Sequence, residues 1–327
     1  MRSIEICAGA GGQALGLEQA GFEHIALVEI DPAACTTLSK NRPHWNVING
    51  DVKAFSAKKY EGFVDLLAGG VPCPPFSLAG RQLGHDDERD LFPEAVRLVG
   101  ECDPKAVMLE NVRGLFDPKF DGYRENIKGE LESLGYQCVW ELIQSSHFGV
   151  PQQRPRAVLI ALKTKYIRHF AWPMGTWTAL PPTVGQVLFD EMASNGWEHA
   201  AKWARHADGI APTLVGGSKK HGGADLGPTR ARVAWEKLGV DGRGLADMPP
   251  EKGFAGNPRL TVKMAALLQG FPPEWEITGK KTPAYRQVGN AFPPPVAKAL
   301  GGAILKAISG VNEGQEAAQH ERTWSAV

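Results

Sequence analysis

No apolar run in this 327-residue chain approaches the ~20 residues that a membrane helix needs, so nothing in it reads as a transmembrane span. The start lacks the basic region and long apolar core of a signal peptide. Residues 4–8 read instead as a first core strand running into glycines, and a cytoplasmic protein is expected. The five cysteines are scattered and contain no C-x-x-C pair, which argues against both a zinc site and a disulfide framework. A reducing compartment fits, and there a reactive thiolate survives. Excess charge of one sign is also missing, with 36 basic and 36 acidic residues. The balance is uneven, however: between residues 151 and 260, fifteen lysines and arginines face nine acids. A basic segment inside a neutral chain is compatible with a polyanion partner, although a mixed solvated surface is the commoner cause of such an imbalance. There is no internal repeat. What remains is an ordinary globular composition, 43% hydrophobic and 22% charged, long enough for one large domain and a smaller one.

Up to about residue 165, short apolar strands alternate with amphipathic helices. Strands are predicted at residues 3–7, 24–29, 45–49, 64–68, 106–110, 137–143 and 157–162, with helices at 13–20, 33–41, 93–101 and 123–134. This alternation predicts an α/β domain with a mostly parallel sheet. After residue 172 the rhythm fails, and Pro181-Pro182, Gly216-Gly217, Gly222-Gly223 and Pro249-Pro250 mark loops. Five of the nine tryptophans fall in 172–260, so this region reads as a second folded unit rather than disorder. Helical pattern returns at 261–270 and 295–308, and the tail from 310 is expected to fray.

Cys73 stands in Gly69-Gly70-Val71-Pro72-Cys73-Pro74-Pro75, just past a predicted strand. Clefts of open α/β sheets form at that strand edge, so the thiol is either placed as a nucleophile or buried as a structural cysteine. The first strand runs into Gly9-x-Gly11-x-x-Ala14 with Gly12 between, opening a helix whose amides favour an anionic or polar ligand. Glu29 ends the second strand and can accept from ribose hydroxyls. Asp51 ends the third and can accept from an adenine amino group. The pattern points to an adenosine-bearing cofactor without separating a nicotinamide from S-adenosylmethionine. Glu110 ends a further strand at the same edge as Cys73, where desolvation would favour its acid form, or it is an ordinary surface carboxylate. Arg154 and Arg156 share parity at the entrance to a strand and can form a clamp, or simply face solvent. Gly289-Asn290 reads as a turn that closes a pocket or caps the last helix.

In this order, the glycine loop, Pro72-Cys73, Glu110-Asn111-Val112, Gln152-x-Arg154-x-Arg156, Arg259-Leu260-Thr261 with Gln269-Gly270-Phe271-Pro272, and Gln287-Val288-Gly289-Asn290 resemble the DNA (cytosine-5) methyltransferase family. The resemblance covers nearly the whole chain, and bacterial modification methyltransferases are its nearest likeness. It implies a Rossmann-like S-adenosylmethionine-dependent methyltransferase fold over residues 1–175 and 283–327, with a loop-rich target-recognition domain over 176–282. By that resemblance Cys73 adds to C6 of a flipped cytosine, Glu110 engages N3 and the exocyclic amine, and Arg156 contacts the base with Gln152 and Arg154 in support. S-adenosyl-L-methionine would lie across Gly9, Gly11 and Gly12, with Glu29 on the ribose and Asp51 on the adenine. Pro72, Leu91 and Asn290 would border its methionine end. Residues 77–90, with Ser77 and Arg89, match a loop that closes over double-stranded DNA, and Thr213 matches a phosphate contact. Two departures stand out: Glu5 replaces a common aspartate, and Cys7 replaces a phenylalanine that touches adenine, which suggests weaker packing or compensation by a neighbour. A separate restriction endonuclease as cognate partner and a monomeric state are further expectations, with no metal and no membrane. Competing readings are a tRNA-methylating branch of the same family, a nicotinamide-dependent oxidoreductase and a catalytically silent DNA-binding relative. The oxidoreductase reading leaves Pro72-Cys73, Glu110 and the arginine strand without a purpose.

Overall fold

The computed structural model describes residues 1–72, 90–175, 180–216 and 224–324, and side chains as far as residue 310. Seven strands, β1 (Arg2–Ile6), β2 (Glu23–Glu29), β3 (Val47–Asn49), β4 (Leu66–Gly69), β5 (Ala106–Val112), β6 (Tyr136–Gln144) and β7 (Pro155–Lys163), form one sheet in the order β3-β2-β1-β4-β5-β7-β6. The first five run parallel, and β7 is antiparallel to both β5 and β6. All seven predicted strands are present and the sheet is mostly parallel, as the alternation of elements led one to expect.

Why the sheet is built this way follows from the central strands, which are apolar on both faces. Leu66, Ala68, Met108 and Ile160 face one layer; Leu67, Val107, Leu109 and Leu159 face the other. A strand buried on both sides reads as a continuous apolar run and requires helices on both faces. The first face is covered by α1 (Gly12–Ala20) and the last helix, through Leu17, Val296, Leu300 and Ile304. The second is covered by α3 (Phe92–Cys102) and α4 (Asp121–Ser133), through Phe92, Leu98 and Leu131. Between them in sequence, α2 (Pro32–Asn41) starts at Asp31, whose side chain accepts from the Ala33 amide, with proline at its first position. A one-turn helix, α5 (Thr164–Ile167), follows β7.

The region after residue 180 is helical where the sequence promised mainly loops. It contains α6 (Val184–Ala193), α7 (Ala200–His206), α8 (Thr229–Glu236), α9 (Val262–Leu268) and α10 (Lys281–Asn290). Helix α9 answers the pattern predicted at residues 261–270, whereas α6, α7 and α8 are short and separated by glycines and prolines, so none of these three shows enough turns to declare a period. The tryptophans anchor them: Trp197, Trp203 and Trp235 are buried in one cluster with Leu188 and Leu245. That cluster also takes in Ala10, Leu38 and Trp45 beside the first helices, so the region shares a core with the sheet's flank. Two expectations are corrected here. Gly289 and Asn290 are the last residues of α10, not a free turn. The closing helix, α11 (Pro294–Trp324), continues well past Ile308 instead of fraying from residue 310. Residues 311–324 contain no proline and several alanines, glutamates and glutamines, which sustain a helix.

Candidate active site

Strand order reverses between β1 and β4, and that is where an open α/β sheet leaves a crevice at its carboxyl edge. A cavity of about 290 Å³ lies there. Successive strands deliver its walls in a row: Asp51 after β3, Glu29 from β2, Gly9 after β1, Pro72 after β4 and Glu110 from β5. With strands ~4.8 Å apart, that row spans roughly 19 Å across the sheet, room for an extended nucleoside-bearing ligand.

The glycine loop is shaped by backbone constraints. Gly11 caps α1 with φ 81°, and a side chain there would meet Leu38 and Trp275. A Cβ at Gly12 would lie 2.2 Å from the Phe292 carbonyl oxygen, so the segment after α10 packs directly on the loop. Gly9 and Gly12 line the cavity; Gly11 does not, and its place is in the packing beneath. Glu29 is buried, accepting from Gly9 N–H at 2.7 Å and from Asp31 N–H at 2.8 Å. The carboxylate thereby ties the loop to the start of α2 and keeps free lone pairs for a ligand hydroxyl. Asp51 is exposed and accepts from Lys53 N–H at 2.9 Å.

At the other side of the row Glu110 is buried, and Arg156 Nε donates to its Oε1 at 2.8 Å. Burial lifts the Glu110 carboxyl above its ordinary range, against the opposing pull of Arg156 and Arg154. Next to it Asn111 Nδ2 donates to the Val71 carbonyl at 2.8 Å, and Leu91 N–H donates to the Pro72 carbonyl at 3.3 Å. Residues 71, 72 and 91 are therefore fixed beside Glu110. Pro72, Leu91 and Asn290 all border the cavity. Cys73, Ser77 and Arg89 lie outside the described residues.

Arg154 and Gln152 do not reach the cavity. Arg154 is fully buried and donates to the carbonyls of Leu214 at 2.6 Å, Gly289 at 2.7 Å and Ala291 at 3.0 Å. Gln152 donates to Gln269 Oε1 at 2.7 Å and accepts from Leu214 N–H at 2.9 Å. The pair thus binds three segments distant in sequence: the 211–216 stretch, the end of α9 and the end of α10. Thr213 belongs to the same seam, its hydroxyl donating to the Gln153 carbonyl. Above that seam Gly216 and Gly289 cross at backbone contact; a Cβ on Gly289 would lie 2.4 Å from Gly216 Cα. Burial lowers the Arg154 pKa well below its usual value. Replacing Arg154 by methionine should cost about 3 kcal/mol of stability, because it strips donors from buried carbonyls. Urea unfolding should show this as a lower midpoint at unchanged slope, and an unmoved midpoint would refute the bracing role.

Several wall residues had no assigned role in the sequence reading. Ile30, directly after Glu29, is 64% exposed and offers the cavity an apolar face near Cys7. The Cys7 thiol is itself pushed up to about 12 by burial and by Glu29, which disfavours its thiolate. Arg286 lines the cavity from α10. Gln13 is 3% exposed, and both polar atoms of its amide lack a partner among the described residues; Glu5, 1% exposed, has the same deficit at Oε2. Each such atom costs about 1–3 kcal/mol unless a ligand or water meets it. Burial also raises the Glu5 carboxyl well above its ordinary range. An apolar residue following a strand-end acid was the available clue to Ile30; Gln13 offered only its place in the first helical turn.

The chain can now be set beside known proteins. The C-5 cytosine-specific DNA methylase family matches residues 1–306. The Type II methyltransferase M.NgoMIV of Neisseria gonorrhoeae is 54% identical over 319 residues, covering 95% of this chain and 99% of that protein. The Type II methyltransferase M.NaeI of Lentzea aerocolonigenes is 56% identical over 321 residues, covering 96% and 77%. Among solved structures, S. pombe Dnmt2 methyltransferase superposes with a TM-score of 0.64 at 18% identity, covering 94% of this chain and 99% of its own, a likeness of fold. Its sheet is that of the methyltransferases, its sequence matches the family almost throughout, and the chain belongs to the C-5 cytosine-specific DNA methylase family, as a DNA cytosine-5 methyltransferase.

Proposed function

We propose that this enzyme methylates cytosine in one short sequence of double-stranded DNA as the modification half of a Type II system, acting as a monomer alongside a separate endonuclease. Cys73 is its nucleophile and S-adenosyl-L-methionine its methyl donor. Residues 176–282 form the target-recognition domain, the remainder the catalytic and cofactor-binding domain. The observation that carries this reading is that Glu110 and Pro72 border the same cavity as Glu29 and Asp51. A base held at Glu110 would lie beside Pro72 on one side and a donor along the acids on the other.

The residues present fit that donor: strand-end carboxylates at Glu29 and Asp51 for its hydroxyls and amines, and Gly9 and Gly12 for close approach. Bound there, S-adenosylmethionine supplies an electrophilic methyl group on a sulfonium. Cys73 adds to C6 of the extruded cytosine, forming the S–C6 bond and pushing an electron pair toward C5. Glu110, whose acid form burial favours, donates to N3 and stabilises that charge. Arg156 holds the Glu110 carboxyl in register. Once C5 carries the methyl group, its proton leaves to water, the C–H electron pair reforms the C5–C6 double bond, and the C6–S bond breaks to return the Cys73 thiolate. Ser77, Arg89 and Thr213 are assigned to DNA contact.

Bisulfite sequencing of plasmid DNA from cells expressing the chain tests the reading. Protection of a single cytosine within one recurrent short sequence is expected. Absence of protected DNA, with methyl groups entering tRNA instead, would move the enzyme to the tRNA-methylating reading. Identity above 50% to two Type II enzymes across nearly the whole chain favours DNA.

A further inference from the structure

Two residues of the cavity wall, far apart in sequence, are tied by one long hydrogen bond. Leu91 N–H donates to the Pro72 carbonyl at 3.3 Å, just beyond the ~2.7–3.2 Å of an ordinary backbone bond. So weak a bond depends on how accurately its donor is placed. The core alone does not fix it: Phe92 is fully buried, whereas Leu91, one residue earlier, is only partly so. Asp90, buried just before it, divides its carboxylate between two helices. Its Oδ1 accepts from Phe92 N–H at 3.0 Å in the first turn of α3, and its Oδ2 accepts from the Tyr123 hydroxyl at 2.6 Å on α4. The second separation is in the short range of a hydroxyl bonded to a carboxylate. The Tyr123 ring also meets Phe92 edge-on, with centroids 5.9 Å apart.

We propose that Tyr123 is a positioning residue for methyl transfer, acting through Asp90. This inference rests on Cys73, the residue after Pro72, being the nucleophile. Held by Phe92 N–H alone, the Asp90 side chain would be free to swing about that bond, and the backbone of residues 90–91 with it. The Tyr123 hydroxyl fixes the second oxygen, and so the direction in which Leu91 N–H points at Pro72. From the other side Asn111, on β5, holds the carbonyl of Val71. Pro72 is thus placed between a bond from the sheet and a chain of bonds that ends on α4. The attacking atom must meet C6 along a narrow approach, where a misplacement of about 1 Å costs about 10²-fold in rate. No residue of α4 is on the cavity wall, so the hydroxyl acts at a distance.

Tyr123→Phe tests this, because it removes the hydroxyl and keeps the ring against Phe92. In the full-length variant, kcat for methyl transfer into duplex DNA should fall about tenfold or more. Single-turnover adduct formation on a 5-fluorocytosine duplex should slow by the same factor. KM for DNA and affinity for S-adenosylhomocysteine, read by isothermal titration, should stay within about twofold. Unchanged S-adenosylhomocysteine binding also shows that the variant has folded. The loss should be absent when Asp90 is already alanine, because the hydroxyl then has no carboxylate to hold. A single-turnover rate within about twofold of wild type in Tyr123→Phe would overturn the inference. So would equal losses in rate and in S-adenosylhomocysteine affinity, which would make the hydroxyl a matter of general stability. An undiminished loss in the Asp90→Ala background would reveal another route and overturn it too. A wild-type enzyme that methylates duplex DNA yet forms no adduct would overturn the Cys73 reading and this inference with it, an outcome distinct from the others.

Discussion

Substituting serine for Cys73 should reduce methyl transfer into duplex DNA by about 10⁴-fold or more. The reason is the ionisation required of the attacking atom. A thiolate is accessible near neutral pH and is intrinsically nucleophilic, whereas a serine hydroxyl needs a dedicated base to become so. Without addition at C6, C5 of a neutral cytosine has too little electron density to take a methyl group, and Glu110 polarises the ring without replacing the missing bond. Cofactor affinity should be nearly unchanged, because Glu29, Gly9 and Asp51 supply that part of the wall from β2 and from the ends of β1 and β3. Two measurements check this: the rate of radiolabelled methyl incorporation, and trapping on a duplex containing 5-fluorocytosine. Fluorine at C5 cannot leave as a proton does, so the wild-type enzyme should remain covalently attached after transfer. The serine variant should form no adduct; turnover within about tenfold of wild type would remove Cys73 from the mechanism.

What made part of this molecule legible in sequence was locality. The seven strands are short apolar runs next to helices with a visible period, and a parallel sheet follows from that alternation alone. Glu29 and Glu110 stood out because an acid directly after an apolar strand has one place to be, the carboxyl edge. The role of Arg154 was not local. Parity put it on the same side as Arg156, but its partners are carbonyls 60, 135 and 137 residues away, supplied only when α10 and the 211–216 stretch fold against β7. Gln152 depends likewise on Gln269. The short helices α6 to α8 were hidden for a different reason. They are held by buried tryptophans rather than by their own periodicity, and a tryptophan in sequence declares burial without direction. The deficit at Gln13 could not be foreseen at all, since an unpartnered amide exists only relative to its neighbours.

Glu110→Gln should slow methyl transfer by about 10²–10⁴-fold and change the shape of its pH dependence. Burial raises the carboxyl's pKa in the folded enzyme, even with Arg156 at 2.8 Å, so the donating form persists to higher pH than an exposed glutamate allows. The sign follows directly: donation from Glu110 is fully present below that raised pKa and is lost as pH rises through it. The wild-type rate should therefore carry a limb that falls as pH rises through that pKa. Glutamine keeps a hydrogen-bond donor and an acceptor for Arg156 but has no proton to release, so this limb should vanish from the variant while its rate remains low throughout. Stability should shift in step. A carboxyl whose folded pKa is raised stabilises the fold at low pH and loses that contribution as pH rises, so the variant should compare best with wild type on the alkaline side. Rates and urea midpoints measured on both proteins from acid to alkaline pH would separate the two effects. A falling limb that survives unchanged in Glu110→Gln would place the titrating acid elsewhere and leave Glu110 as a fixed partner of Arg156.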